Sequence, residues 1–201
     1  MTKIAIEKEL GISLDAIASS GVRGLTSMEL VGLYTTAVDI KPKVIVEIGA
    51  CQGVASTILG YAVSMSQGHL YSYDILVQPK WHQNIRANKL SSYATLIEAE
   101  SPNIDIDELP FNLIDYLLID GDHSYDGAMA DYLFWSPLVR TNGRIAFHDY
   151  YSHKGVRRVV SEIMKRDALC KAVEVPGKMY NSSQSSPLGS GMIVLTKNNI
   201  K

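Results

Sequence analysis

From residue 26 onward, short apolar runs alternate with segments whose apolar residues recur every three or four positions. The first clear helix follows Thr26. Thr26 and Glu29 form a capping box, Leu30, Leu33, Tyr34 and Val38 follow at helical spacing, and Pro42 marks the end. Val44–Val46 reads as a buried strand and Val54–Met65 as a helix with Ile58, Leu59 and Ala62 inward. Leu70–Tyr73 is a second strand, Trp81–Leu90 a helix and Ala94–Ile97 a third strand. Leu113–Ile119 is a fourth strand, apolar except at Asp115 and Tyr116. Tyr125–Leu138 is helical, Arg144–Phe147 is a fifth strand, and Val156–Arg166 is a helix with Val159, Val160 and Ile163 inward. Ala172–Val175 and Met192–Leu195 close the chain as strands, joined by a flexible polar loop at 181–191. Strands alternating with helices predict a parallel sheet covered on both faces, and two strands with no helix between them predict an antiparallel closing pair. One α/β domain over 1–201 is expected, with a helical or lid segment at 1–40 preceding a core at 43–201.

The composition fits one globular domain: 46% of the 201 residues are hydrophobic and 20% charged. A net charge of −2 provides no field toward phosphate backbones or anionic lipid, so neither nucleic acid nor membrane is expected as a partner. Two cysteines, Cys51 and Cys170, are too few for a disulfide framework and suit a reducing compartment. The first fifteen residues carry acids within their apolar pattern, unlike a signal peptide, so a cytoplasmic location is expected. The weakly charged stretch Val54–Leu70 is broken by Ser, Gly and Gln and reads as a helix and the start of a strand, not a membrane span.

Ligands of open parallel sheets sit beyond the carboxyl ends of the strands, so the residues there are the candidates for chemistry. The first strand runs into Glu47-Ile48-Gly49-Ala50-Cys51-Gln52-Gly53. Gly49 permits a tight turn, and Gly53 opens a helix whose free N–H groups suit an anion and whose backbone a ligand can approach. The spacing is E-x-G-x-x-x-G, without the third glycine of a dinucleotide fingerprint. Asp74 ends the second strand, where an acid can accept both hydroxyls of a ribose. Glu100 and Ser101 follow the third strand and either border an adenine ring or form an exposed polar turn. Asp120, Asp122 and His123 crowd the turn after the fourth strand, and His148 and Asp149 end the fifth. If the two strands are neighbours, Asp120, His148 and Asp149 converge on one cation, with Asp122 or His123 left for proton transfer. Carboxylates favour Mg²⁺, and a histidine tilts the set toward Mn²⁺, Fe²⁺ or Zn²⁺. The competing reading has Asp122 or Ser124 merely capping the following helix. His69, His82 and His153 read as surface residues, Trp135 as core, and Lys154, Arg157, Arg158, Lys165 and Arg166 as a solvated helix face or a site for an anionic partner.

Together these residues resemble the Rossmann-like class I methyltransferases. Glu47–Gly53 is similar to their first motif and Asp74 to their ribose-binding acid. Ile119–Tyr125, Gly143 and Phe147–Tyr150 resemble the bacterial family 24-like methyltransferases with an IDGDHSY and FHDY signature. That family is similar to macrocin-type sugar O-methyltransferases and, more distantly, to catechol O-methyltransferase. The resemblance spans Val44 to Arg166 and implies a mostly parallel seven-stranded sheet with a C-terminal antiparallel pair. It implies S-adenosylmethionine as cofactor, bound by Glu47, Gly49, Ala50, Gly53, Asp74, Glu100, Ser101 and Asp120. It implies a divalent cation, Mg²⁺ or Mn²⁺, on Asp120, His148 and Asp149, with Asp122 as general base and His123 orienting the loop. His148 stands where the sugar enzymes carry an acid. The expected reaction is O-methylation of a small-molecule, sugar or phenol hydroxyl, and association into a homo-oligomer is left open. Two rivals remain: a cofactor-binding or hydroxylase-like relative without methyl transfer, and a nicotinamide-dependent oxidoreductase, disfavoured by the missing glycine.

Overall fold

The computed structural model describes residues 1–21, 25–167, 169–177 and 190–198. The elements are α1 (Lys3–Leu10), α2 (Leu14–Ala18), α3 (Ser27–Val38), β1 (Val44–Ile48), α4 (Val54–Ser64), β2 (His69–Asp74), α5 (Pro79–Ala87), β3 (Ala94–Glu98), β4 (Ile114–Ile119), α6 (Tyr125–Trp135), β5 (Val139–His148), α7 (Lys154–Arg166), β6 (Leu169–Val175) and β7 (Met192–Lys197). They build one seven-stranded sheet in the order β3-β2-β1-β4-β5-β7-β6. The pairs from β3 through β5 are parallel, and β7 runs antiparallel to both β5 and β6.

Alternation along each strand sorts the core into two layers. Ile45, Leu70, Tyr116, Leu118 and Ala146 point to α3, α4 and α5. Val46, Ile48, Leu117, Ile119, Ile145 and Phe147 point to α6 and α7. Strand order reverses between β1 and β4, so a crevice opens at their carboxyl ends.

The expected capping box starts α3: Thr26 Oγ1 accepts from the Glu29 N–H, and the Glu29 carboxylate accepts from the Thr26 N–H. The helix stops at Val38, before Pro42. Asp115, a polar residue in an apolar strand, accepts hydrogen bonds from the Lys43 and Val44 N–H groups and pairs with Arg140. Tyr116 is fully buried and shares a 2.9 Å hydrogen bond with Thr36. The fifth strand is longer than expected, starting at Val139 and holding Asn142 at φ 60° within it. Trp135 is core, as expected.

The 1–40 segment divides. Helices α1 and α2 bury Ile6, Leu14 and Ile17 in the core, and α2 flanks a groove with Tyr61, Leu90 and Tyr93, near the amino ends of the strands. In the first turn of α3, Glu29 reaches His148 at the carboxyl edge. The basic face of α7 is partly engaged: Arg157 donates to the Tyr151 carbonyl, Arg158 lies 4.1 Å over the Tyr125 ring, and Arg166 pairs with Asp167. Of the polar loop at 181–191, only Ser190 and Gly191 fall within the described residues. No helix among the described residues is long and apolar enough to cross a membrane.

Candidate active site at the carboxyl edge

The turn after β1 has left-handed backbone at Gly49 (φ 89°), Cys51 (φ 45°) and Gly53 (φ 81°). A side chain at Gly49 would strike the backbone carbonyl of Asp120, so the turn rests directly on the end of β4. A Cβ at Gly53 would lie 2.9 Å from Trp81 Cδ1. The space beside Gly53 therefore belongs to Trp81, and glycine is needed there for packing as well as for its φ. Ala50 is buried and packs into the core layer of α3, α4 and α5. Asp74 accepts from the N–H of Cys51 at 2.7 Å and of Leu76 at 2.9 Å, tying β2 to the same turn.

Glu47 is fully buried. One oxygen, Oε2, accepts from Ser56 and Ser72, each at 2.5 Å, and Ser56 in turn accepts from the Trp81 ring N–H at 2.8 Å. The other, Oε1, is buried without a hydrogen-bond partner among the described residues. Burial pushes this carboxyl up to about 8, against the pull of Ser56 and Ser72.

Glu100 and Ser101 separate. Glu100 is exposed and accepts from Asn103 at 3.1 Å. Ser101 Oγ donates to Asp131 at 2.6 Å and accepts from the Trp135 ring N–H at 2.8 Å. The Ser101 side chain is thus turned into α6, and only the backbone at this position is left to border a ligand.

At the ends of β4 and β5, ligand atoms of Asp120, His148 and Asp149 lie within 4.8 Å of one another. His148 Nδ1 is 3.0 Å from Asp120 Oδ1 and 3.5 Å from Asp149 Oδ2. His123 Nε2 is 3.3 Å from both of those oxygens. Two carboxylate oxygens and two imidazole nitrogens therefore face one another around a single point. Burial would lower the His148 pKa, but the charge of Asp120 and bonds to Asp120, Asp149 and Glu29 hold it well above the usual range. The hydrogen bond to Asp120 raises His123, against burial. Burial opposes ionisation of Asp120 and Asp149, yet the neighbouring histidines keep both below the ordinary carboxylate range. Asp149 takes φ 55°, a left-handed backbone that aspartate tolerates better than most residues.

Asp122 is not in this set. It is exposed, and its two oxygens accept from the Ser124 N–H at 2.8 Å and the Ser124 hydroxyl at 2.9 Å. Ser124 itself caps α6 through the Gly127 N–H. Of the two capping candidates Ser124 is the cap, Asp122 braces Ser124, and His123 is the residue of that turn that faces the cluster.

Two neighbours of the cluster carry no signal of this role in the sequence. His153, expected as a plain surface residue, stacks on His123 with ring centroids 4.5 Å apart and lies 3.5 Å from Asp149 Oδ1. Glu29, expected only as a helix cap, also receives His148 Nε2 at 3.2 Å and the Ser190 hydroxyl at 3.0 Å.

Three solved structures share the architecture. The O-methyltransferase TomG from Streptomyces achromogenes, involved in tomaymycin synthesis and solved with SAM, has a TM-score of 0.73 at 13% identity, over 98% of this chain and 96% of that one. An O-methyltransferase from Bacillus cereus in complex with SAH has a TM-score of 0.69 at 15% identity, covering 98% and 92%. An rRNA methylase from Streptococcus thermophilus has a TM-score of 0.63 at 12% identity, covering 83% and 94%. At such identities the likeness shows a Rossmann-like methyltransferase fold, and the range of these proteins shows that this fold does not set the acceptor. No curated protein sequence matches the chain. Residues 46–150 match the family model described as a methyltransferase domain. That span is more than half of the chain and holds Glu47, Asp74 and the whole Asp120–His123–His148–Asp149 cluster, and by it the chain belongs to the methyltransferase-domain family.

Proposed function

We propose that this enzyme transfers the methyl group of S-adenosylmethionine to a hydroxyl of a small molecule, assisted by a divalent cation on Asp120, His148 and Asp149. The observation that carries the reading is the contact of the Gly49 turn with the end of β4. A methyl donor on the first and an acceptor on the second share one crevice. The chemistry of the residues fits both groups. The free N–H groups opening α4 suit a carboxylate, and the buried, unpartnered Oε1 of Glu47 suits an ammonium group. The oxygen-rich set with one histidine suits Mg²⁺ or Mn²⁺.

When bound, S-adenosylmethionine supplies a methyl group on a sulfonium leaving group, and the cation supplies charge that lowers the pKa of the acceptor hydroxyl. Asp74 holds the ribose, and the turn at Gly49 orients the donor. His123 takes the acceptor proton at Nε2, and the N–H so formed donates to Asp120 and Asp149, which stabilise the imidazolium. This base differs from the Asp122 that the family resemblance implies, because the Asp122 carboxylate is committed to Ser124.

Calorimetry with S-adenosylmethionine and its demethylated product tests the donor site. Both bind wild-type protein, and Asp74→Ala weakens them by about 1–3 kcal/mol through the lost charge-assisted contact. A folded protein that binds neither at high micromolar concentration refutes the donor assignment. A methyl-transfer screen over sugars, phenols and small acids, with and without divalent metal, then finds the acceptor.

A second reading has one observation behind it. Both nitrogens of His148 face carboxylates, so the ring is itself a held positive charge. Chelation separates the two readings. On the cation reading, turnover falls with chelator and returns with Mg²⁺ or Mn²⁺. Turnover indifferent to chelator leaves His148 as the fixed charge of the site.

A further inference from the structure

The two oxygens of Glu29 do different work. Oε2 accepts from the Thr26 N–H at 2.7 Å and the Thr26 hydroxyl at 2.8 Å, and so closes the capping box. Oε1 plays no part in the cap. It accepts from His148 Nε2 at 3.2 Å, across 119 residues of chain, and from Ser190 Oγ at 3.0 Å. Glu29 is fully buried, and a glutamine at the same helix position caps as well without bringing a charge out of water. Capping alone does not account for a carboxylate here.

We propose that Glu29 is a positioning residue of the cation site: it keeps the His148 proton on Nε2 and so turns Nδ1, as a free lone pair, toward the point between Asp120 and Asp149. This rests on the cation reading above. A ligating imidazole whose other N–H is held by a carboxylate has its tautomer and ring orientation fixed, and it is a stronger donor. The required order is present: Glu29 Oε1, His148 Nε2, His148 Nδ1, then Asp120 Oδ1 at 3.0 Å and Asp149 Oδ2 at 3.5 Å. A cation would take the place of a proton at Nδ1, and the Nε2 proton would stay on His148, donated to Glu29 Oε1. Ser190, at the entry to β7, donates to the same oxygen and limits its rotation.

Glu29→Gln tests this with little change of shape. The carboxamide oxygen retains the Thr26 N–H, and the NH₂ group then faces Nε2, which drives the imidazole proton onto Nδ1. Mn²⁺ affinity, read by electron paramagnetic resonance, should fall about 10- to 100-fold while circular dichroism stays native. Nitrogen-15 NMR with Cd²⁺ as a diamagnetic probe should find wild-type His148 as the Nε2–H tautomer with Nδ1 on the ion. Unchanged Mn²⁺ affinity in a folded Glu29→Gln overturns the proposal and leaves the cation reading standing. If the variant does not fold, the wild-type NMR decides by itself, and an Nδ1–H tautomer with Cd²⁺ present overturns the proposal. A wild-type protein that binds neither ion overturns the cation reading and this inference together.

Discussion

His123→Gln should lower turnover by about a hundredfold or more, with S-adenosylmethionine affinity almost unchanged. Asp122→Asn, one residue away, should keep most of the turnover. The contrast follows from one turn of chain. His123 Nε2 sits 3.3 Å from both Asp120 and Asp149 at the crevice, whereas the Asp122 oxygens are held by the backbone and side chain of Ser124. Asparagine keeps an oxygen for the Ser124 N–H, so the turn survives that substitution. Glutamine at 123 fills similar space but has no basic nitrogen. Single-turnover methyl transfer on the acceptor found by screening makes the comparison without interference from product release. A collapse in Asp122→Asn beside an active His123→Gln would restore the carboxylate as base.

Glu47→Gln should make the protein more stable and the enzyme worse. Burial raises the Glu47 carboxyl from the ordinary 4.5 to about 8. Above pH 4.5 the unfolded chain ionises this group and the folded chain does not, so the wild type loses stability as pH rises toward 8. Beyond that point the loss is complete and constant. Glutamine removes the titration. Its advantage should be small near pH 4, grow through the neutral range, and reach roughly 4 kcal/mol by pH 8 to 9. Urea unfolding of both proteins across that range measures it. Stability gained at the expense of a binding group is a common exchange at functional sites. The same substitution should therefore weaken S-adenosylmethionine binding, since we propose the buried Oε1 of Glu47 as a contact of the cofactor's ammonium group. Higher stability with unchanged affinity would make Glu47 a packing residue.

The sheet was legible because its strands are continuous apolar runs that local pattern reveals: Val44–Val46 and Leu113–Ile119 were each found within about two residues of the observed ends. Helices α1 and α2 were not individually read, because they span eight and five residues and bury only Ile6, Leu14 and Ile17. The placement of Asp74, Asp120, His148 and Asp149 at the carboxyl edge was legible because it depends on strand ends. The site was not legible where it depends on side-chain direction. Asp122 and His123 share one turn, and only the Ser124 hydrogen bonds decide which of them faces inward. Glu29 was seen as a cap from its local spacing. Its second partner, His148, lies too far along the chain for any local pattern to register.

The Gly49 turn gives the molecule a seam. The residues read for the methyl donor, Glu47, Gly49 and Asp74, stand at the carboxyl ends of β1 and β2, and those read for the acceptor, Asp120, His123, His148 and Asp149, at or just beyond the carboxyl ends of β4 and β5. The two groups meet where Gly49 rests on the Asp120 carbonyl. Such a joint lets evolution exchange acceptor loops on one side while the donor half stays as it is. It also concentrates risk in a single residue: any side chain at position 49 would strike the Asp120 carbonyl and force the donor turn away from the acceptor edge.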